Sequence, residues 1–286
     1  MTIDIICPLY NAENYIQNLQ KSIENQSDYE NVKNIRYIIT ESTDNTEALV
    51  QQISKKNQKV LYKIIEKKDF SHSLTRENEV KESSADIIVF ISQDVKIVED
   101  DWLNKLVKPI IEGEVHASYS RQLCEDKKSI EFYTRQKNYP SESKIKSKED
   151  IPDLGINTFF YSDASSAIKR EIFNSLNGYD GKKLPTNEDM YIAWKLVDNG
   201  YKIKYCADSK VIHSHNFSSC ETFKRYKAYG QFLKQEPQIN IKSGKSGASL
   251  AKFILKEALK DKNFAVLFKF FPDMIARYIG LKAGNR

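Results

Sequence analysis

The stretch DIIVFISQD, residues 86–94, decides the fold class of this chain. Its apolar run, Ile87–Ile91, is short, rich in β-branched residues and free of alternation, which is typical of a strand buried on both faces of a parallel sheet. Asp94 follows the run, and ligands of open α/β sheets bind beyond the carboxyl ends of the strands. The stretch therefore predicts a buried central strand with a functional carboxylate just past its end.

Strand-like and helix-like segments alternate around this stretch, which predicts βαβ units. We expect an α/β fold with a Rossmann-like, mostly parallel sheet flanked by helices. Further strands are predicted at Ile3–Cys7, Arg36–Thr40, Val60–Ile65, His116–Leu123, Asn157–Tyr161, Ser165–Lys169, Tyr201–Cys206 and Lys210–His213. The pattern becomes helical and basic after Glu221, and Ile241–Ala248 is typical of a linker. We therefore expect one domain over residues 1–220 and a C-terminal basic helical region over residues 221–286.

Composition and charge limit the classes of function. Hydrophobic residues make up 40% and charged residues 29% of the 286 residues, which is typical of a folded globular protein. The net charge of +5 fits an anionic ligand or a membrane surface, whereas dispersed lysines balanced by 39 acids argue against nucleic acid. Four cysteines without a CxxC pair and the lack of a signal-peptide pattern indicate a cytoplasmic protein.

Small polar residues follow the first two predicted strands. Pro8, Tyr10 and Asn11 come after the first strand, and Glu41 and Ser42 come after the second. Hydroxyl and amide groups at a turn before a helix N-terminus suit a nucleotide or a phosphate. The same residue types are also common turn formers and helix caps, so this cluster alone leaves both interpretations open.

A second polar cluster combines His72 and Arg76 on one predicted helix with Gln93 and Asp94 after the central strand. A guanidinium in the first turn of a helix can neutralise a phosphate, and a carboxylate oxygen suits Mg²⁺ or Mn²⁺. One carboxylate is a weak metal site by itself. The cluster therefore suits a divalent cation that is bound together with substrate phosphates.

A third cluster contains Glu188 and Asp189 at the start of a predicted helix, with His213 and His215 further along the chain. Acids are common in the first turn of a helix, where they complement the helix dipole. A single histidine is often an ordinary surface or core residue. Taken together, however, the three clusters follow strands or open helices and can converge at one edge of the sheet.

In their order along the chain, these clusters resemble the motifs of the inverting family-two glycosyltransferases, which have a GT-A fold. The resemblance runs from Ile3 to about Ser218 and implies transfer of a sugar from a nucleoside diphosphate to an acceptor hydroxyl. It implies that Asp189 is the catalytic base and that Glu188 lies on the acceptor side. The residues implied for donor binding are Pro8, Tyr10, Asn11, Glu41, Ser42, His72, Arg76, Gln93 and Asp94.

The resemblance also implies a bound Mg²⁺ or Mn²⁺ ion. Its implied ligands are Asp94 and His213, with His215 ranked behind them. Within residues 1–220, the resemblance implies a nucleotide-sugar half over residues 1–123 and an acceptor half over residues 124–220.

Within the family, three segments look most like bacterial rhamnosyltransferases of surface-polysaccharide assembly: Phe70–Arg76, Ser92–Val95 and His213–Ser218. They imply transfer of L-rhamnose from dTDP-rhamnose to a glycan or a lipid-linked saccharide. Two alternatives stay open. One is a UDP-hexose donor on the same fold, and the other is a non-catalytic homologue that binds a sugar nucleotide or a glycan. Asp189 argues against the second alternative, because a binding module needs no base.

Three positions depart from the family pattern. Ile39 stands where an Asp normally reads the nucleotide base, and Glu41 is the neighbouring candidate for that contact. Ser92 replaces the first Asp of the metal motif, which leaves Asp94 as its carboxylate. Glu77 replaces an Asn and would bring negative charge near a diphosphate unless its side chain points away.

The segment after Ser249 carries aromatic and aliphatic residues among many lysines. A basic amphipathic helix can lie on an anionic bilayer, which would suit a lipid-linked acceptor and a location on the inner face of the cell membrane. The alternatives are a helical pair that packs back on the catalytic domain and a homodimer interface.

Overall fold

A computed structural model describes residues 1–241 and 246–286 of the chain. Within these residues the chain forms nine strands and eleven α-helices. The strands are β1 (Ile3–Leu9), β2 (Val32–Thr40), β3 (Val60–Ile65), β4 (Ile87–Ile91), β5 (Lys96–Ile97), β6 (Ala117–Leu123), β7 (Lys144–Lys146), β8 (Ser165–Lys169) and β9 (Ile203–Ile212). The helices are α1 (Ile16–Glu24), α2 (Thr46–Lys56), α3 (His72–Glu82), α4 (Trp102–Ile111), α5 (Ile130–Asn138), α6 (Ile151–Leu154), α7 (Arg170–Ser175), α8 (Glu188–Asp198), α9 (Ser219–Gln235), α10 (Ser246–Lys260) and α11 (Phe264–Gly284).

All of these strands join one sheet in the order β3-β2-β1-β4-β8-β6-β9-β5, with β7 on the side of β9. In the described residues, six strands run in one direction, and β8, β5 and β7 run against them. Strand β4 lies near the middle, and all five of its residues are buried, as the apolar run predicts. The sheet is therefore mostly parallel, and β8 is the antiparallel strand in its centre.

Helices cover both faces of the sheet. One core lies between the sheet and helices α1, α2 and α4, with Ile16, Val50 and Leu106 fully buried in it. The second core lies on the opposite face, where Val80 and Phe232 belong to helices α3 and α9. Because α9 contributes to this second core, the C-terminal region is packed against the α/β domain.

Two sequence predictions of strands are wrong. Asn157–Tyr161 is mostly a 3₁₀ helix, Gly155–Phe159, because its apolar side chains Ile156 and Phe159 pack into the core from a turn rather than from a sheet. The separate strands predicted at Tyr201–Cys206 and Lys210–His213 are one strand, β9, with a register shift opposite Ser120 and Arg121. Polar residues lie inside that register shift. Because such residues are typical of a turn, the sequence pattern predicted two strands. Half of the predicted linker, residues 242–245, lies outside the described residues, and its last three residues, 246–248, belong to α10 rather than to a linker.

The C-terminal helices form a compact layer. Helices α9 and α11 approach closely through glycines, since a Cβ at Gly280 would lie 2.5 Å from the carbonyl oxygen of Phe223. Gly230 and Gly284 make comparable close contacts with the backbone of the other helix. Helices α10 and α11 share a third apolar core with Tyr133 of α5. In the part of the chain that the structure describes, no helix is both long enough and apolar enough to span a membrane.

Candidate functional site

The loops after β1 and β2 are joined by side-chain hydrogen bonds. Asn11 adopts a left-handed conformation with φ of 47°. Its backbone N–H donates to Ser42 Oγ at 3.0 Å, and its Oδ1 accepts from the Thr43 N–H at 2.9 Å. Asp44 caps the same junction by accepting from the Glu13 N–H at 3.0 Å. The two loops predicted to meet a nucleotide therefore form one ordered surface.

Gln93 connects this surface to the end of β4. Its Oε1 accepts from the Tyr10 N–H at 2.7 Å, and its Nε2 donates to the Tyr10 carbonyl at 2.9 Å. The Tyr10 ring is 44% exposed, and Lys67 Nζ lies 5.1 Å from its centre. Pro8 is half-buried in β1, and Glu41 is exposed after β2. Tyr10 is therefore an exposed aromatic side chain beside a lysine.

Asp94, His213 and His215 form a cluster that suits a metal ion. One ligand atom from each residue lies within 4.8 Å of the others. The Asp94 Oδ2 atom is 3.5 Å from His213 Nε2 and 3.3 Å from His215 Nε2. The two Nε2 atoms are 3.2 Å apart. His215, ranked behind the other two from sequence, is thus as close to Asp94 as His213 is.

The surroundings of Asp94 and His215 favour the forms of these two side chains that bind metal. Burial works to raise the pKa of Asp94, but the His213 hydrogen bond and the field of both histidines lower it below its ordinary value. Burial, followed by the charge of His213, lowers the pKa of His215. A carboxylate and a neutral imidazole are the forms that bind metal. One carboxylate oxygen and two imidazole nitrogens fit Mn²⁺ and leave coordination positions for phosphate oxygens.

Gln122 on β6 contacts the His213 imidazole on the side that faces away from Asp94 and so orients the ring. Its Oε1 lies 3.0 Å from His213 Nδ1, and its Nε2 donates to Ser162 Oγ at 2.8 Å. Such an outer partner fixes which imidazole nitrogen faces a metal. Sequence reasoning missed Gln122, because an interior strand position carries no signal until the sheet order is known.

A buried ion pair lies next to Asp189, the predicted catalytic base. The buried Arg76 guanidinium forms an ion pair with Glu188, with 3.2 Å between NH1 and Oε1. The same nitrogen donates to the His72 carbonyl at 2.9 Å. Arg76 Nε is buried and has no hydrogen-bond partner among the described residues. The ion pair joins α3 to α8 and fixes the start of α8, where Asp189 lies.

Asp189 has the electrostatic character of a base. Burial raises its pKa well above the ordinary carboxyl value, and the negative charges of Glu188 and Asp163 raise it further. Its Oδ1 accepts from the Met190 N–H at 2.7 Å. A carboxylate whose pKa is raised accepts a proton more readily near neutral pH than an ordinary one does. A hydroxyl group that approached Asp189 would therefore meet a carboxyl group with a raised proton affinity.

Asp163 is a buried carboxyl that sequence reasoning missed. It accepts from Ser166 Oγ at 2.7 Å and from the Tyr179 hydroxyl at 2.9 Å. Burial is the main cause that raises its pKa to about 6, with Arg76 opposing and Glu188 adding to the rise. Asp163 precedes β8, whose antiparallel direction brings this end of the strand beside the carboxyl end of β4.

The Asp94–His213–His215 cluster and the cluster of buried acids that contains Asp163 lie at the same edge of the sheet. The Ser92 N–H donates to the Ala164 carbonyl at 3.2 Å, which joins the loop carrying Asp94 to the segment carrying Asp163. Burial raises the pKa of the Cys7 thiol at this edge, while the charge of Arg76 lowers it and that of Asp94 raises it. The hydrogen bond therefore joins the segments that carry the two clusters.

Glu77 points away from this edge. Its Oε2 accepts from the N–H groups of Tyr179 at 2.8 Å and Gly181 at 3.3 Å. Its Oε1 is paired with Lys81 at 2.6 Å. Glu77, which departs from the family pattern, therefore orders the loop before α8. It adds no negative charge beside the predicted phosphates.

Arg225 extends the site from outside the predicted α/β domain. Its guanidinium lies 4.3 Å from the centre of the Phe217 ring, which in turn lies 5.1 Å from the His215 ring. Among the described residues no carboxylate forms an ion pair with it, because nearby Glu131 is paired with Arg135 at 2.7 Å. Its charge contributes to the lowered pKa of His215. Helix α9 therefore adds a cation to the site.

A cleft of about 500 Å³ opens beside His215. It lies between the segment that follows β9, the start of α5 and one side of α11. The side chains that line it include Glu131, Asn216, Phe217, Phe268, Lys269 and Arg277. The cleft is the opening that leads from the metal cluster toward the C-terminal helices.

Asn187, which precedes Glu188, adopts a left-handed conformation with φ of 59°. Asn tolerates this conformation better than Ala, for which it costs about 1–2 kcal/mol. We expect Asn187→Ala to lower the free energy of unfolding by about 1 kcal/mol, and Asn187→Gly to avoid this loss, as measured by urea denaturation. Equal stability of the Ala and Gly variants would show that the backbone at position 187 is not strained.

Comparisons with known proteins agree with this geometry. The sequence model described as "Glycosyl transferase family 2" matches residues 4–176. The chain belongs to this family. It is 33% identical over 290 residues to the O-antigen chain rhamnosyltransferase RfbN of Salmonella typhimurium, covering 100% of this chain and 90% of that one. It is 32% identical to the O-antigen chain rhamnosyltransferase WbaN of Salmonella anatum, over 78% of this chain and 71% of the relative. The protein is a glycosyltransferase.

Solved structures show that this family 2 glycosyltransferase has a GT-A fold. The mannosyltransferase PcManGT from Pyrobaculum calidifontis, in complex with GDP-Man and Mn²⁺, matches with a TM-score of 0.66 at 15% identity, over 99% of this chain and 86% of that one. S. aureus TarS 1-349 matches with a TM-score of 0.60 at 16% identity, over 89% of this chain and 69% of that one. At these identities the likeness concerns the fold alone.

Proposed function

We propose that this protein is an inverting rhamnosyltransferase that acts in cell-surface polysaccharide synthesis. It moves L-rhamnose from dTDP-rhamnose to a glycan or a lipid-linked saccharide, in the cytoplasm at the inner face of the cell membrane. The observation that supports the proposal is the Asp94–His213–His215 cluster, which is joined through Ser92 and Ala164 to the segment of Asp163, whose charge acts on Asp189. The similarity to two proteins named as O-antigen chain rhamnosyltransferases supports the choice of sugar.

Asp189 performs the proton transfer in this mechanism. An acceptor hydroxyl attacks the anomeric carbon of rhamnose from the face opposite the diphosphate. The new carbon–oxygen bond forms as the bond to the diphosphate oxygen breaks, and the hydroxyl proton moves to the Asp189 carboxylate. The ion pair between Arg76 and Glu188 positions Asp189 by holding the first turn of α8 in place. Glu188 faces the acceptor side of the same turn.

Positive groups oppose the negative charge that develops on the leaving diphosphate. Asp94, His213 and His215 are the residues that would hold a Mg²⁺ or Mn²⁺ ion, and that ion would supply positive charge to the diphosphate. Arg225 adds a second positive group beyond Phe217. Arg76 is buried and paired with Glu188, so its charge acts on the site from beneath the surface. Tyr10, Asn11 and the loop residues joined to them bind the nucleoside.

The alternatives make different demands on the site. A UDP-hexose donor would use the same metal cluster and the same catalytic base, Asp189. It would need a different contact to the nucleotide base beside Ile39 and Glu41. A non-catalytic homologue would have no reason to keep a carboxylate whose pKa is raised by burial and two further acids. The character of Asp189 therefore favours an enzyme over a binding module.

A donor screen tests the proposal. The purified chain is mixed with dTDP-rhamnose, dTDP-glucose, UDP-glucose or GDP-mannose in Mn²⁺, in Mg²⁺ or in EDTA, and its melting temperature and donor hydrolysis are recorded. A donor at 100 times its Kd stabilises the fold by about 2.7 kcal/mol. We expect this stabilisation from dTDP-rhamnose with Mn²⁺ and its loss in EDTA. Stabilisation by a UDP-hexose instead would replace rhamnose as the sugar, and stabilisation by none of these donors would contradict the proposed function.

A further inference from the structure

Helix α11 carries an apolar face that is largely exposed in the described chain. The exposed residues Phe264, Phe268, Phe271, Ile275 and Tyr278 recur at alternating intervals of four and three, and here they are called the apolar stripe. At this spacing their side chains lie on one side of a helix. Phe268 is 87% exposed and Phe264 is 76% exposed. Large aromatic residues are rarely left so exposed in a row without a partner.

The opposite face of α11 is packed against neighbouring helices. Val266, Phe270 and Ala276 are buried against the neighbouring helices, and the glycines of α11 contact α9. The packing of the C-terminal helices on the domain therefore accounts for one side of α11 only. The apolar stripe needs a separate explanation.

Charge around the stripe indicates the partner. Asp273 is the only acidic residue between Lys262 and Arg286 in the sequence. Its carboxylate is buried, where it accepts from Thr222 Oγ1 at 3.1 Å and pairs with Arg277 at 2.5 Å. Exposed cationic residues flank the stripe at both ends: Lys260 and Lys262 before it, and Lys282 and Arg286 after it. Exposed Asp261 lies between the first two lysines, and its carboxylate accepts from the Tyr133 hydroxyl at 3.0 Å. The exposed side-chain charge near the stripe is therefore net positive at each of its two ends.

A second copy of the chain is a poor partner for this face. An antiparallel pair of α11 helices would bring Lys262 of each copy toward Lys282 of the other, and a parallel pair would bring identical lysines together. Neither arrangement supplies an exposed carboxylate from α11 to offset these charges, and like charges opposed in a helix pair are destabilising. An anionic surface offsets the charges at both ends at once, and its apolar interior accepts the aromatic side chains.

We propose that the apolar stripe of α11 docks on a bilayer that contains anionic phospholipids. The aromatic side chains enter the headgroup boundary, and the lysines at the two ends contact lipid phosphates. Phe268 belongs to the stripe and also lines the cleft beside His215. Docking thus brings the mouth of that cleft to the bilayer surface, where, if the proposed function holds, a lipid-linked saccharide would enter it.

Vesicle flotation tests the proposal with the full chain and no donor or acceptor. We expect the protein to float with equimolar phosphatidylglycerol and phosphatidylcholine, at least about tenfold better than with phosphatidylcholine alone, and to be released by high salt. The double variant Phe264→Ser/Phe271→Ser, which leaves the cleft lining intact, should bind at least about tenfold less. The matched control Leu61→Ser/Tyr62→Ser removes exposed apolar side chains from β3 and should bind like the unmodified chain.

Three outcomes would overturn the proposal. The first is failure of the unmodified chain to float with anionic vesicles at low salt. The second is equal flotation of the stripe variant and the control, with melting temperatures showing that both are folded. The third is a stable dimer by light scattering that the stripe variant converts to a monomer, which would make the stripe a contact between copies. Because the vesicles contain neither donor nor acceptor, a wrong donor in the screen above would leave this result unaffected.

Discussion

Asp189→Asn is expected to reduce kcat by about 10³-fold while the Kd for the donor changes by less than about threefold. The asparagine keeps an oxygen that can accept from the Met190 N–H, so the first turn of α8 should stay intact. It cannot take a proton from the acceptor hydroxyl. The measurement is steady-state transfer from dTDP-rhamnose to a saccharide acceptor, combined with calorimetric titration of the donor.

The matched control for this variant is Asp198→Asn at the other end of α8. Asp198 is an exposed carboxylate that pairs with Lys148 at 3.1 Å, far along the helix from the site. Its replacement should leave kcat within about twofold, as is usual for surface substitutions. If Asp189→Asn retained near-normal turnover, Asp189 would not be the base, and buried Asp163 would be the next carboxylate to test.

Asp94→Asn is expected to reduce kcat/KM by about 10²-fold or more and to remove its dependence on Mn²⁺. Loss of the one carboxylate in the cluster weakens the site for a divalent cation, and removal of one stabilising group for developing charge costs about 3–4 kcal/mol. Treatment of the unmodified enzyme with EDTA should produce a similar loss. Gln122→Ala, which removes only the partner of His213, should weaken Mn²⁺ binding by about 10–100-fold.

Glu125→Gln is the control for Asp94→Asn. Glu125 is an exposed acid that pairs with Lys96 at 3.1 Å, next to the strand that follows Asp94. The Glu125→Gln variant tests whether the loss of any negative charge in this region lowers the activity. Activity in EDTA equal to that in Mn²⁺ would instead show that the enzyme works without a metal ion, with the histidines and Arg225 stabilising the diphosphate.

Local sequence patterns predicted the parts of the site that follow directly from strand ends. The run Ile87–Ile91 is buried on both faces, and Asp94 lies where the end of that strand requires. The loops after β1 and β2 meet because parallel neighbours end at the same edge of the sheet. His213 and His215 follow β9, which is parallel to β6 and ends at the same edge.

Long-range pairing determined the parts that sequence reasoning missed. The strand β8 was predicted, but its antiparallel direction depends on its pairing with β4 and β6, and only that direction brings Asp163 to the site. The partner of Arg76, Glu188, is 112 residues away in the sequence. Arg225 reaches the site because α9 packs back on the domain, which no local pattern specifies.

A diffraction experiment on one complex tests the central claim, that the Asp94–His213–His215 cluster and Asp189 act on one donor molecule. Crystals of the Asp189→Asn variant, which should bind dTDP-rhamnose without consuming it, are grown with Mn²⁺, and the ion is located by anomalous scattering. Our account predicts a Mn²⁺ ion bound by Asp94, His213 and His215 and by the diphosphate, with the anomeric carbon of rhamnose facing residue 189. A Mn²⁺ ion bound by other residues, or a sugar turned away from residue 189, would contradict it.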